Sequence, residues 1–489
     1  MKSTVIYEKF KFLFLVLLII TSMVQVGILW EYDRFPISFL WTFLGNNGSR
    51  PEVDINDAGD ELFTPCKMVI SEGKRYSLVD TDTEDFEDLW AEAKTYISDT
   101  VLSKDSVPEK SDKKWSKLIL KEGVIFEFNT EMRLSLIAAF LNKTVSPSAP
   151  GGIDKLAIMP NEDYNGQNTV YISYGGAVYK YVLPFKKWSK YDFLDKITQY
   201  RDNKDKYHFD IVYKYFGAET NLNENILIGL QSTSEQSYYK MRDISCVTPE
   251  TILSTPENNT SVIAEKILGK HQEPLFEVSG PNNGIIELED LNSRYTFDTG
   301  KGMLEYTYRP GLQDDDKGNT GAALVEAYKF INRIRNNVIP GVKIHISGIK
   351  GKDSSGYYEF NFDYTVNGIP VYFVKNEGTE LENAITVKAN GGGVAGCRWL
   401  IRDIKTISEP KDYNVYYDDY LYEQMTERNA IVGDKNKKNT VTDISFAYVV
   451  ENQGQHDSMA PSWFVRYNNI DFISLPQYGV YKIQTNYTE

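Results

Sequence analysis

The chain has 489 residues, 42% hydrophobic and 25% charged, an ordinary globular composition. Its net charge of −15, with acids beside every lysine cluster, argues against nucleic-acid binding and against charge-driven attachment to anionic lipid. Three widely spaced cysteines, Cys66, Cys246 and Cys397, imply no disulfide framework and leave open whether any two of them pair.

Residues Phe12 to Trp30, FLFLVLLIITSMVQVGILW, carry no charge. Nineteen residues at ~1.5 Å rise give about 29 Å, enough to cross a ~30 Å hydrocarbon core. The stretch ends in Gly27, Ile28, Leu29 and Trp30 rather than an Ala-x-Ala-like site, so it reads as an uncleaved anchor. Lys2, Lys9 and Lys11 precede it, whereas acids outnumber Arg34 and Arg50 between Glu31 and Asp60. The positive flank stays inside, so residues 1–11 are a cytoplasmic tail, 12–30 the transmembrane helix, and the bulk is extracytoplasmic in the cell membrane. Residues 31–60 are a juxtamembrane linker whose apolar patch, Phe35 to Leu44, is too short to cross and reads as an interfacial segment or packed linker. Thr21, Ser22 and Gln25 share one face of the anchor. They either contact a partner helix in the membrane, or bond to their own backbone and reach toward the interface.

Past the linker, Tyr76 to Val79 reads as a strand and a helix begins near Thr81, which has capping-box spacing to Glu84. Phe86, Leu89, Trp90, Ala93, Tyr96 and Ile97 form one apolar stripe. Leu118 to Leu120 and Val124 to Phe128 read as a hairpin about Glu122-Gly123, followed by a helix over Leu134 to Leu141. Leu156 to Met159, Val170 to Tyr174 and Val178 to Leu183 read as strands, with a tight turn at Gly175-Gly176, and Lys190 to Tyr200 as a helix. These make an N-terminal α+β domain, residues 61–204.

A middle α+β domain, 205–315, carries strand-like Phe209 to Tyr215, Ile226 to Leu230, Ile285 to Leu288 and Met303 to Tyr308, and a helix near Ser261 to Leu268. The breaker-rich Pro310 to Thr320 ends it. In the C-terminal domain, 316–489, one pattern occurs twice, over about 320–405 and 412–485. The first copy has a helix, Ala322 to Ile334, strand Tyr358 to Val366, an Asn367-Gly368 turn, and strands Ile369 to Phe373, Ile385 to Ala389 and Arg398 to Ile404. The second has a helix, Asp418 to Arg428, strand Ile444 to Val450, a polar turn through Asn452 to Ser458, and strands Ser462 to Tyr467 and Asp471 to Ser474. The fold class is therefore α+β: a single N-terminal transmembrane helix, then a multidomain ectodomain of antiparallel sheets with packed helices, closing in two helix-plus-sheet repeats.

Motifs that suggest chemistry lack their context. Gly391, Gly393 and Gly396 fit G-x-G-x-x-G, but a strand-like CRWLIRDI follows instead of a helix, so they read as a hairpin loop. Asp80-Thr81-Asp82 reads as the entry to a helix rather than a phosphoryl-transfer D-x-D. Asp314, Asp315 and Asp316 lack the alternate spacing of a calcium loop. Ser111 and Lys114 match S-x-x-K without the later S-D-N and K-T-G. His208, His271, His345 and His456 are isolated, without local support for a metal site. No catalytic, cofactor or metal residue is assigned, and an enzyme would need Ser111, or Asp80 and Asp82, to meet other polar groups in a pocket.

The layout resembles the YycH family of membrane-anchored regulators of an essential cell-wall sensor kinase. The basic N-terminus with its single span carries the resemblance, with EDFEDLWAEAKTYI, GVIFEFNTEMRLSLIAAFL, GGIDKLAIMP, and FAYVVENQG followed by APSWFVRYN. It implies three extracytoplasmic domains, no catalytic residues and no cofactor. It also implies association with a sensor histidine kinase and with a second single-span regulator, YycI, through membrane helices and ectodomains. The alternative is an extracytoplasmic ligand-binding or envelope-assembly protein, which an apolar cleft between domains would favour. Whether the chain forms a homo-oligomer is open.

Overall fold

The structure is a computed structural model that describes residues 55–73, 76–160, 168–182, 190–202, 207–211, 227–229, 238–249, 276–279, 284–309, 320–375, 381–414, 440–451, 455–467 and 471–476. All lie in one compact unit, Asp54–Glu489. The stretch Phe12 to Trp30 with Thr21, Ser22 and Gln25, the patch Phe35 to Leu44, Asp314 to Asp316, and the helices expected at Ser261 to Leu268 and Asp418 to Arg428 lie outside the described residues. Among the described residues no helix is long and apolar enough to cross a membrane.

The first half opens with α1 (Ile55–Leu62), β1 (Lys67–Glu72), β2 (Tyr76–Val79) and α2 (Glu84–Tyr96), which runs on through a π-helical turn, Ile97–Val101. There follow β3 (Glu109–Lys110), α3 (Trp115–Leu118), β4 (Glu122–Arg133), α4 (Leu134–Phe140), β5 (Gly152–Met159), β6 (Thr169–Tyr174), β7 (Ala177–Val182), α5 (Lys190–Asp202), β8 (Tyr207–Ile211) and β9 (Leu227–Gly229). The nine strands form one antiparallel sheet in the order β3-β7-β6-β5-β4-β1-β2-β8-β9, which therefore extends past residue 204. The apolar stripe of α2 is buried on it, with the Trp90 and Phe126 rings 5.4 Å apart. Gly175 and Gly176 close the β6–β7 hairpin at φ +56° and +77°, the conformation their lack of Cβ permits.

Two local expectations are corrected. The N-cap of α2 is Thr83, not Thr81: its Oγ accepts the Phe86 N–H at 3.3 Å and donates to the Asp80 carbonyl at 2.7 Å. Asp80 delays the helix by accepting the Asp82 N–H at 3.2 Å in a local turn. Leu118 ends the short helix α3 and is no strand, because Trp115, Leu118 and Ile119 bury together while the Ile119 carbonyl accepts from the Ser71 hydroxyl at 2.9 Å.

The second half comprises β10 (Tyr238–Met241), β11 (Ile244–Val247), β12 (Phe276–Ser279), β13 (Ile285–Glu289), β14 (Ser293–Asp298), β15 (Met303–Tyr308), α6 (Thr320–Val338), β16 (Lys343–Lys350), β17 (Tyr358–Val366) and β18 (Ile369–Val374). The remaining strands are β19 (Leu381–Glu382), β20 (Ile385–Asn390), β21 (Gly393–Leu400), β22 (Asp403–Thr406), β23 (Lys411–Asn414), β24 (Val441–Val450), β25 (His456–Met459), β26 (Ser462–Tyr467) and β27 (Asp471–Pro476). A 13-stranded sheet runs β12-β13-β14-β15-β21-β20-β17-β18-β24-β26-β27, with β16 on β17 and β19 on β18. It spans residue 315 and joins the strands of both C-terminal halves through the parallel pair β18–β24, so the sheet is mixed rather than wholly antiparallel.

Cross-strand partners Phe297, Leu304, Trp399, Ile385, Phe362 and Ile346 make an apolar row across this sheet. Helix α6 packs against β17, β20 and β21, with Ala323, Leu324, Ala327, Ile331 and Ile334 buried. Of the flagged glycines only Gly391, with Gly392, makes the hairpin turn between antiparallel β20 and β21; Gly393 and Gly396 are paired residues of β21, opposite Asn390 and Lys388. The expected turn Asn452 to Ser458 instead ends in strand β25, which β11 recruits from far away in sequence.

Candidate functional site

Of the polar residues flagged in the sequence, Asp80 lines a cleft with Lys240, Arg242, Asn367 and Tyr448, and neither Asp82 nor Ser111 does. Asp80 and Asp82 build the entry to α2. Ser111 donates its N–H to the Val178 carbonyl at 2.9 Å and its hydroxyl accepts the Lys113 N–H at 3.1 Å, while Lys114 is exposed. Among the described residues no three His, Cys, Asp or Glu side chains are grouped to hold a metal ion, and Cys66, Cys246 and Cys397 are free.

What sequence reasoning did not find is a set of polar junctions where the two sheets meet. One is a shallow cleft of about 250 Å³ lined by Asp80, Lys240, Met241, Arg242, Asn367, Ile369 and Tyr448. Three distant segments build it: the β2–α2 loop, strand β10, and the β17–β18 turn with β24. The Tyr448 hydroxyl donates to the Arg242 carbonyl at 2.6 Å. Asn367 and Gly368 adopt φ +51° and +73° in the turn, and a Cβ on Gly368 would sit 2.5 Å from Thr81 Oγ1. Burial pushes the Asp80 carboxyl up. Five of its seven lining residues are polar or charged, so it is not the apolar cleft that the ligand-binding alternative calls for.

A second junction lies on the other face of the nine-stranded sheet. Lys155 Nζ donates to Glu127 at 3.1 Å and Lys67 lies 3.9 Å from the same carboxylate. Burial alone pushes Glu127 up, but the two ammonium groups hold it below its ordinary value. Asp443 on β24 is near enough to raise Lys155 and Cys66, so this cluster faces the C-terminal sheet. Burial, with Glu127, pushes the Cys66 thiol up to about 12, which makes it an inert thiol rather than a nucleophile.

The third junction is centred on Glu61, in the last turn of α1. Its carboxylate accepts from Arg335 Nη1 at 2.5 Å and Nη2 at 2.7 Å, from the Tyr328 hydroxyl at 2.5 Å, and from the Ile344 N–H at 3.1 Å. Burial pulls the Arg335 guanidinium down, and the bonds to Glu61 with its charge more than offset this. Two residues on, the Phe63 ring sits 5.0 Å from Trp90 and 5.6 Å from Phe128, and the Phe63 carbonyl accepts from Trp90 Nε1 at 3.1 Å. Glu61 and Phe63 thus belong to opposite halves of the molecule. The 274-residue separation of Glu61 and Arg335 left no local sequence signal for the pair.

These elements define an α+β architecture of two large sheets tied together by polar junctions. No family model matches the chain, and no curated protein matches it. Among solved structures it is similar to that of YycH from Bacillus subtilis, at a TM-score of 0.51 and 10% identity, over 88% of this chain and 99% of that chain. The chain therefore has a YycH-like fold.

Proposed function

We propose that the chain is a non-enzymatic, membrane-anchored regulator that changes the activity of a cell-envelope sensor histidine kinase by contact. The observation that carries this reading is the match to YycH along nearly its whole length, which joins the fold to the resemblance seen in the sequence. The uncharged stretch Phe12 to Trp30 supports a single-pass anchor with the N-terminus cytoplasmic. Thr21, Ser22 and Gln25 are the proposed contact with a partner helix, whether of the kinase or of a second, YycI-like regulator. The three-domain division at residues 204 and 315 and the two C-terminal repeats belong to the same reading.

A binding protein shifts a kinase only if it prefers one of its states, so the ectodomain must bind the kinase's sensor region differentially. The test is kinase phosphorylation in native membranes with and without this chain, at equal kinase abundance. A change in either direction is expected. An unchanged phosphorylation level would contradict the proposal.

A further inference from the structure

We infer that α1 is a releasable latch: Glu61, seated on donors from α6 and β16, holds the C-terminal half against the nine-stranded sheet, and its withdrawal loosens α6 and β16 while that sheet stays folded. The inference concerns this chain's mechanics and stands apart from the regulator reading.

Three observations carry it. First, the seat is fully built. One carboxylate takes four donors from two elements of the C-terminal half, including a fork of two guanidinium bonds and a backbone N–H of β16, a strand attached only to β17 in the sheet path. Second, the latch is short and can leave as a unit. An eight-residue helix is far below the ~12–15 residues at which isolated helices become even marginally stable, so α1 exists through these contacts and those with α4.

Third, the seat has a fallback. Arg335 also donates to Asn332 Oδ1 at 2.5 Å and to the Val342 carbonyl at 3.2 Å, so it keeps partners in its own half when Glu61 leaves. Release therefore leaves Arg335 hydrogen-bonded within its own half, and costs its counter-charge and the bonds from the Tyr328 hydroxyl and the Ile344 N–H. Among the described residues α1 is the first element of the chain, ahead of β1, and it begins 25 residues beyond Trp30 in the sequence. Phe63, anchored among Trp90, Phe128 and Phe140, limits the motion to the segment before it.

The test is amide hydrogen exchange on the full-length protein in membranes, comparing Glu61→Gln and the milder Tyr328→Phe with the parent. In Glu61→Gln, exchange across residues 55–62, 320–338 and 343–350 is expected to rise on the order of tenfold, as loss of a charged hydrogen-bond partner implies. Tyr328→Phe should raise exchange in the same segments by less. Strands β4 to β6 should be unchanged in both. Acceleration confined to residues 55–62, equal acceleration throughout the nine-stranded sheet, or no acceleration would each overturn the inference.

Discussion

His345 on β16 and Asp363 on β17 stand directly opposite each other across the ladder, and burial moves them in opposite directions, the imidazole down to about 4 and the carboxyl up to about 6. Both His345 ring nitrogens are shut away from solvent without a hydrogen-bond partner. Asp363 accepts the Ala384 N–H at 2.8 Å and is also faced by Ser347 and Arg466.

The pair predicts opposed pH dependences. Asp363 has a raised folded pKa, so the native state takes up its proton first; its contribution is full below 3.8 and is lost as pH rises through about 6. His345 has a depressed folded pKa, so its contribution is present above 6.5 and is lost as pH falls toward about 4. Each is on the order of 3 kcal/mol and the two largely cancel. Relative to the parent, Asp363→Asn should gain stability at pH 7 and lose most of that advantage by pH 4.5. His345→Gln should gain most near pH 4.5. Urea denaturation across this range checks both, and parallel curves for parent and variants would refute the assignment.

Tyr364→Phe should cost about 2 kcal/mol at every pH below 9, because it leaves buried donors without an acceptor. The Tyr364 hydroxyl accepts from Trp399 Nε1 at 2.6 Å and from the Arg402 N–H at 3.2 Å, and donates to the Leu400 carbonyl at 2.8 Å. Equilibrium unfolding reads the loss.

Two glycine turns separate strain from steric fit. Gly175→Ala meets no atom within 4 Å and pays only for its positive φ, about 1 kcal/mol. Gly368→Ala pays that and also collides with Thr81, so it should cost at least twice as much and displace the β17–β18 turn from the Asp80 loop. Thermal unfolding of the two variants side by side gives the comparison.

Thr83→Ala should destabilise by about 1 kcal/mol through loss of the α2 cap, and Thr81→Ala by much less through that route. Equal losses would return the cap to the residue first expected from the sequence.

Elements with a strong period or an obligatory turn were legible in the sequence: the stripe from Phe86 to Ile97, the helix over α6, and the turns at Gly175-Gly176 and Asn367-Gly368 all stand where the residues place them. Strands β1, β14 and β16 were not recognised; β14 alternates buried and exposed residues, but β1 is buried at four consecutive positions and carries no period-two signal. Arg398 to Ile404 reads as one strand yet breaks at Ile401 and Arg402, where the Arg402 side chain turns inward and donates to the Lys301 carbonyl at 2.9 Å. The parallel β18–β24 pair and the Glu61–Arg335 pair join residues far apart in the chain, and no local pattern announces such contacts.

The central claim, regulation of a kinase by direct contact, is tested most directly by crosslinking and affinity purification of the tagged full-length chain from its native membrane. A variant with residues 12–30 replaced by an unrelated span is carried alongside. The account predicts recovery of a sensor histidine kinase and a second single-span protein, with recovery reduced by the span replacement and by Gln25→Leu combined with Ser22→Ala. Recovery of neither, with envelope enzymes or a bound small molecule in their place, would contradict it.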